Sequence, residues 1–186
     1  MVEHSPARQR FPAAPAACEP TGTVVSIDHA RRRRRRRPGL AAPSGAIRVL
    51  VVGSRALTRA GLRRLLEDDH GVVVIGEAAD GDEAARQVRS TDPDVVLLDA
   101  CCRQLDPAEV MRTLRGRVVL LVTDGEGGER LLGALRAGAT GVLPADSHPA
   151  HLASAVRTVA SGGASLPPST VRRLIAELVE PHVTPR

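Results

Sequence analysis

The sequence of 186 residues contains no lysine, no tryptophan and no tyrosine, and its one phenylalanine is Phe11. Many proteins that bind single-stranded nucleic acid stack bases on aromatic rings, so this shortage of aromatic residues excludes that mode of binding. The hydrophobic core has to be built from valine, leucine, isoleucine and alanine. The three cysteines, Cys18, Cys101 and Cys102, lack the spacing of a disulfide framework or of a C-x-x-C site, which favours a reducing compartment.

The sequence also lacks a hydrophobic run long enough to cross a membrane. A spanning helix needs about 18 or more apolar residues, and no segment approaches that length. No apolar segment of the kind found in signal peptides precedes Cys18. With 42% hydrophobic and 25% charged residues, the composition is typical of a soluble globular protein. We therefore expect a cytoplasmic protein that makes no membrane contact.

The net charge of +5 comes from the N-terminal part of the chain. Residues 1–46 contain nine arginines and three acidic residues, whereas the remainder contains seventeen arginines and eighteen acidic residues. Seven of the nine arginines are consecutive: Arg31, Arg32, Arg33, Arg34, Arg35, Arg36 and Arg37. This run could supply nucleic-acid contacts, or it could be a solvated extension. A charge block without apolar neighbours favours the second interpretation, and we do not expect the folded domain to bind DNA.

Apolar patterning divides the chain into three parts. Residues 1–46 contain six prolines and no apolar periodicity, which predicts a disordered tail in which residues 21–27 could form a transient strand. Residues 47–163 alternate short β-branched runs with segments of helical periodicity. Residues 164–186 contain one more amphipathic helix, predicted at 169–179, which could form a dimer seam, pack on the preceding domain or serve as a linker.

The alternation within residues 47–163 predicts an α/β domain. Its predicted strands are 47–52, 72–76, 94–98, 118–122 and 141–143, and its predicted helices are 56–68, 80–90, 106–114, 128–137 and 149–160. The apolar stripe of the helix at 56–68 contains Leu57, Gly61, Leu62, Leu65 and Leu66, with Arg59 on the outer side, and Gly162-Gly163 stops the helix at 149–160. Alternating strands and helices form parallel sheets with right-handed crossovers. We therefore predict a doubly wound, five-stranded parallel sheet with helices on both faces.

Polar residues follow the ends of several predicted strands. In open α/β sheets, functional sites lie beyond the carboxyl ends of the strands, and Asp99 and Thr123 occupy such ends. The sequence therefore predicts one carboxylate and one hydroxyl in a common crevice. Cys101 and Cys102 lie beside it and could act as thiol sensors, although free cysteines are more typically small buried hydrophobes.

Five segments, in this order and at this spacing, carry a resemblance to a known family: I-R-V-L-V-V, G-E-A-A-D-G-D-E-A, D-P-D-V-V-L-L-D, A-L-R-A-G-A-T-G-V-L and V-R-R-L-I-A-E-L. Together they resemble the receiver domain of NarL/FixJ-type response regulators of bacterial two-component signalling. The resemblance covers residues 47 to about 180 and implies a flavodoxin-like receiver fold. It also implies a phosphorelay signalling module that is not a turnover enzyme.

The resemblance implies phosphoryl transfer to an aspartate, with the charge neutralised by a divalent cation and a lysine. The phosphoacceptor position falls on Asp99, and the hydroxyl that binds the phosphate falls on Thr123. The other family positions are degenerate in this chain. The two metal-binding acids fall on Gly53 and Ser54, the lysine on Ala145, and the aromatic switch residue on Val142.

The missing groups predict an atypical receiver. We expect no bound cofactor or metal, and a role that depends on contacts with kinases, other regulators or a second copy of the chain. A still-competent Asp99 phosphoacceptor is an alternative. The final residues, V-T-P-R, resemble the start of the helix-turn-helix domain that follows such receivers, so a truncated DNA-binding transcription regulator is another alternative.

Overall fold

The computed structural model describes residues 23–26, 45–101, 105–114, 119–124 and 128–179. These residues form seven strands and six helices. In chain order the elements are β1 (Thr23–Ser26), β2 (Ile47–Val52), α1 (Ala56–Glu67), β3 (Val72–Ala78), α2 (Gly81–Thr91), β4 (Val95–Asp99), α3 (Pro107–Thr113), β5 (Val119–Thr123), α4 (Gly128–Arg136), β6 (Gly141–Pro144), α5 (Pro149–Ala160), β7 (Gly163–Leu166) and α6 (Pro168–Val179).

All seven strands belong to one sheet in the order β1-β7-β6-β5-β4-β2-β3. The five predicted strands are present as β2 to β6, and each pairs in parallel with its neighbours. Their order is that of the flavodoxin-like fold, because the second strand in sequence lies at one edge and the first lies inside it. The predicted α/β architecture with a parallel sheet is therefore confirmed.

The prediction of only five strands is wrong, because the sheet continues past β6. The segment Gly163–Leu166 was assigned to a helix stop and a linker, but it forms β7, which is parallel to β6 through Gly141 and Ser165. Thr23–Ser26, within the predicted disordered tail, forms β1 and pairs antiparallel with β7. Four residues of the tail therefore extend the sheet of the domain.

Two hydrophobic clusters lie on opposite faces of the sheet. One combines alternate strand residues with α2, α3 and α4 through Val88, Met111 and Leu131. The other combines the remaining strand residues with α1 and α5 through Leu66 and Val156. Strands β4 and β5 are buried along their whole length, as expected for parallel strands covered on both faces. Helices therefore cover both faces, as predicted.

Local sequence signals fix the starts of two helices. The carboxylate of Asp80 accepts a hydrogen bond from the Glu83 N–H at 2.8 Å at the start of α2. Asp106 similarly caps α3, where its Oδ1 accepts from the Ala108 N–H at 3.1 Å and Pro107 is the first helical residue. These are the side chains and the proline position that favour helix initiation. Among the described helices, none is long and apolar enough to span a membrane.

The buried side of α1 is narrower than its apolar pattern indicates. Leu62 and Leu66 are buried, but Leu57 is 90% exposed and Leu65 is 38% exposed. The predicted apolar stripe therefore faces the core only through its second half.

Helix α6 is linked to the rest of the domain by an ion pair. Thr170 is buried, and Arg136 of α4 pairs with Glu177 at 2.9 Å. Ile175 on the predicted apolar stripe is exposed. The helix is thus attached to the domain, while part of its stripe faces solvent.

Candidate functional site

The strand ends bring the predicted site residues together at one edge of the sheet. Val52 is paired with Leu98, and Asp99 is paired with Val122, so the ends of β2, β4 and β5 lie side by side. Gly53 and Ser54 directly follow β2, Asp99 ends β4 and Thr123 ends β5. The sheet register therefore creates the predicted crevice.

Asp99 is fully buried at the centre of this edge. Its Oδ1 accepts a hydrogen bond from the Cys101 N–H at 3.0 Å. Its Oδ2 has no hydrogen-bond partner among the described residues, but it lies 3.9 Å from Nη2 of Arg55, whose side chain is 58% exposed. Since a buried carboxylate is costly unless it is paired, the guanidinium is the cation that offsets its charge.

Gly53 lies against Asp99 so closely that no side chain fits between them. A Cβ atom at position 53 would stand 2.9 Å from Cβ of Asp99 and 3.4 Å from its Oδ2. Contacts below about 3 Å require the backbone or the neighbour to move. The glycine therefore sets the close packing of β2 and β4 at this point.

Arg59 holds the segment that carries Gly53. Its Nη1 donates to the Gly53 carbonyl at 2.6 Å, and its Nε lies 3.3 Å from Oε2 of Glu77 on β3. Arg63 donates from Nε to the other Glu77 oxygen at 2.6 Å. The hydrogen bond from Arg63 lowers the pKa of Glu77, and burial opposes that shift. The Arg59 side chain, expected on the solvent side of α1, is only 16% exposed.

The remaining predicted positions, Thr123, Val142 and Ala145, lie on β5 and β6 or just after them. Thr123 is buried, and its carbonyl accepts a hydrogen bond from the Ala145 N–H at 2.7 Å. Ala145 is exposed just after β6. Val142 is buried in the core cluster on the side of α2, α3 and α4. Val142 is thus a small, packed side chain of the core.

A cleft of about 330 Å³ opens beside Thr123. Its apolar part is formed by Pro107, Leu121 and Leu131, and its rim carries the carboxylates of Asp124 and Glu129. The cleft lies between α3, α4 and the end of β5, next to Ala100. The crevice therefore has open space on the side of Thr123 and close packing on the side of Gly53.

The environment of Cys101 does not suit a reactive thiol. Burial raises its pKa to about 12, and the hydrogen bond to Asp99 and the charges of Asp99 and Asp124 act in the same direction. Reactive cysteines need a lowered pKa, because the thiolate is the nucleophile. The interpretation of Cys101 as a small buried side chain is favoured over that of a sensor.

The crevice at Asp99 offers few oxygen ligands to a magnesium ion. Mg²⁺ binds carboxylate and other oxygen ligands and usually needs one or two carboxylates together with substrate phosphate. Oδ2 of Asp99 faces the guanidinium of Arg55, the neighbouring position 53 is a glycine, and the carboxylates of Asp124 and Glu129 line the adjoining cleft. The described residues contain no group of three or more His, Cys, Asp or Glu side chains that could hold a metal.

Two groups of predicted residues fall outside the described part of the chain. These are the arginine run from Arg31 to Arg37 and the three residues Cys102, Arg103 and Gln104 that follow the crevice. Sequence patterns indicated no role for Arg55 and placed Arg59 only on the outer side of α1. A signal for both was available, since Arg55 and Arg59 lie three and seven residues after the end of β2.

The order of the strands β2 to β6 in the sheet and the position of Asp99 at the end of β4 are those of an α/β domain of the receiver type. Residues 49–157 match the response regulator receiver domain family. The chain therefore belongs to the response regulator receiver domain family of two-component signalling.

Individual relatives agree with this assignment. The chain is similar to response regulator UvrY of Escherichia coli K12, with 32% identity over 143 residues that cover 74% of this chain and 65% of UvrY. It is 29% identical to the transcriptional regulatory protein LiaR of Bacillus subtilis over 136 residues, which cover 71% of this chain and 64% of LiaR. A LuxR-family two-component response regulator from Aurantimonas sp. SI85-9A1 superimposes with a TM-score of 0.64 at 32% identity, covering 73% of this chain and 99% of that chain.

The chain spans somewhat less than two thirds of the length of these curated relatives, 65% of UvrY and 64% of LiaR. The match lies in the receiver domain. The similarity therefore concerns the receiver and the shared signalling class.

Proposed function

We propose that this chain is a receiver that acts without magnesium-assisted phosphorylation of Asp99. The observation that carries the proposal is the packing of Gly53 against Asp99, because a Cβ at position 53 would stand 2.9 Å from Cβ of Asp99. A metal-binding acid at that position would require Asp99 or the backbone to shift. The carboxylate that would receive the phosphoryl group therefore lacks its first metal-binding neighbour.

The other family positions support the same proposal. Ser54 and Ala145 replace an acid and the lysine that the resemblance implies. Removing one preorganised charge-stabilising group typically slows a reaction by roughly 100- to 1,000-fold. Three such groups are absent together, and although their effects do not simply add, phosphoryl transfer to Asp99 is expected to be very slow.

Protein contacts are the remaining way for a receiver to transmit a signal. We propose that the partner is another regulator, a kinase or a second copy of this chain, and that the contact affects transcription, as the name of LiaR states for that relative.

Phosphorylation is the direct test of the proposal. The full chain is incubated with acetyl phosphate and Mg²⁺, and its intact mass is measured over time beside Asp99→Asn. We expect no gain of a phosphoryl mass in either protein, because the crevice lacks the acids and the lysine. A phosphoryl gain that is present in the natural chain and absent in Asp99→Asn would contradict the proposal and support the competent-receiver alternative.

The arginine run gives a second test, directed at nucleic-acid binding. Removing residues 1–46 would also remove β1, which pairs with β7, so substitution of all seven arginines by glutamine is the cleaner change. Any binding of the natural chain to duplex DNA through this run is expected to be non-specific and to weaken steeply with salt, since each neutralised phosphate releases a counterion.

A gel-shift series at rising salt compares the two proteins. The substituted chain is expected to lose that binding, and circular dichroism should show an unchanged fold. Sequence-specific binding that survives the substitution would contradict our view that the folded domain does not bind DNA.

A further inference from the structure

The second oxygen of Asp99 faces a positive charge in place of a hydrogen-bond donor. Oδ2 is buried and has no hydrogen-bond partner among the residues that the structure describes. Nη2 of Arg55 lies 3.9 Å away. A fully buried carboxylate needs a compensating charge or several donors, and the single backbone donor from Cys101 serves the other oxygen. The guanidinium is therefore the compensating group.

The backbone places Arg55 at this position for local reasons. Arg55 is the N-cap residue of α1, with extended dihedral angles and no side-chain hydrogen bond that caps the helix. Its side chain is thus not used to satisfy the helix end. The first turn of α1 contains no acidic residue, so no carboxylate of that turn draws the guanidinium away from Asp99.

The other nearby arginine has a different task. Arg59 is mostly buried, and it is bonded to the Gly53 carbonyl and to Glu77. Those contacts fix the loop between β2 and α1. Arg55, in contrast, has a side chain that is more than half exposed, and it lies between Asp99 and solvent.

We propose that Arg55 is the resident counter-ion of Asp99 and that its guanidinium excludes divalent cations from this carboxylate. A side chain on a flexible stem supplies the charge that a metal ion supplies in the family the chain belongs to. The arrangement makes the charge state of the crevice independent of metal concentration. This inference deepens the proposed function and rests on it, because a receiver without metal needs another source of positive charge beside its aspartate.

The test uses Mn²⁺ as the probe and the amide resonances of the full chain as the readout. Paramagnetic broadening reports a bound ion at the Gly53 and Cys101 amides, which lie beside Asp99. The natural chain is compared with Arg55→Asp and Arg55→Gln. Aspartate is a preferred N-cap residue, so Arg55→Asp is expected to keep α1 intact. Arg64→Gln is the matched control, because Arg64 lies on the same helix and pairs with exposed Asp68.

We expect selective broadening of the Gly53 and Cys101 amides in Arg55→Gln at lower Mn²⁺ concentrations than those that affect the natural chain, because glutamine removes the cation without adding a carboxylate. Arg55→Asp also adds a metal ligand and should broaden at still lower concentrations, whereas Arg64→Gln should behave as the natural chain. Equal broadening in the natural chain and in Arg55→Gln would overturn the inference, whatever Arg55→Asp does.

The titration contains no phosphodonor, so its outcome is separate from the phosphorylation test. Labelling of Asp99 by acetyl phosphate, together with exclusion of Mn²⁺ by Arg55, would reject the proposed function and leave the counter-ion role standing. Absence of labelling together with Mn²⁺ bound in the natural chain would reject the counter-ion role alone.

Discussion

Replacing Gly53 with alanine is expected to destabilise the protein by about 1–3 kcal/mol, the usual cost of forcing extra atoms into a packed interior. The new Cβ would stand 2.9 Å from Cβ of Asp99 and 3.6 Å from Cγ of Arg59. Asp99 is fixed at the end of a fully buried strand, so it cannot move away cheaply. Urea unfolding monitored by circular dichroism measures the loss.

Gly61→Ala is the matched control for this change. It makes the same substitution within α1, where no atom lies within 4 Å of the added Cβ, so it is expected not to lower the free energy of unfolding. An unfolding midpoint for Gly53→Ala equal to that of the natural chain would show that the strand ends can separate. The steric argument against an acid at position 53 would then fail.

The stability loss at Gly53 links the fold to the proposed function. Gly53→Asp would add the same Cβ and also a second carboxylate beside the buried Asp99. Like charges at close range oppose each other in a buried site. Gly53→Asp is therefore expected to destabilise the protein at least as much as Gly53→Ala.

The main elements of the fold could be predicted because their signals are local. The run at β2 is short, β-branched and continuous, and such runs are typical of strands buried on both faces. Helix α5 begins with proline and α2 begins after a capping aspartate, so the sequence predicts where both helices start. Periodicity and capping together therefore predicted the central sheet and the helices on its two faces.

Strand β7 escaped prediction, and β1 was predicted only as a possible transient strand at residues 21–27. Gly162 and Gly163 end α5, and a pair of glycines is a common helix stop that gives no sign of a following strand. The pairing of β1 with β7 joins residues about 140 positions apart in the sequence. No local pattern encodes such a long-range pairing.

Only part of the site could be predicted, because only part of it depends on local sequence. The strand-end rule located Asp99 and Thr123, since it depends only on where a strand stops. It could not locate Arg55, whose role depends on the direction of a long side chain across the crevice. The alternation of apolar and charged residues on α1 placed Arg59 in solvent, whereas its hydrogen bonds to Gly53 and Glu77 draw it inward.

Replacing Gly141 on strand β6 with alanine is expected to destabilise the protein about as much as replacing Gly53, which follows strand β2. A Cβ at this position would stand 2.9 Å from Cδ1 of Leu120, 3.0 Å from Cγ1 of Val159 and 3.1 Å from the carbonyl oxygen of Ser165. Because the carbonyl belongs to the backbone of β7, it cannot rotate away. We expect a loss of about 1–3 kcal/mol in the free energy of unfolding.

The loss should be accompanied by a local change, because Gly141 and Ser165 are the residues through which β6 pairs with β7. Hydrogen exchange is expected to accelerate in β7 more than in β4. Gly61→Ala provides the control: Gly61 lies in α1 with no atom within 4 Å of its added Cβ, so alanine should stabilise the helix by up to about 1 kcal/mol. If Gly141→Ala left both the unfolding free energy and the exchange of β7 unchanged, β7 would not be packed on β6, and the sheet would end at the five strands that the sequence predicts.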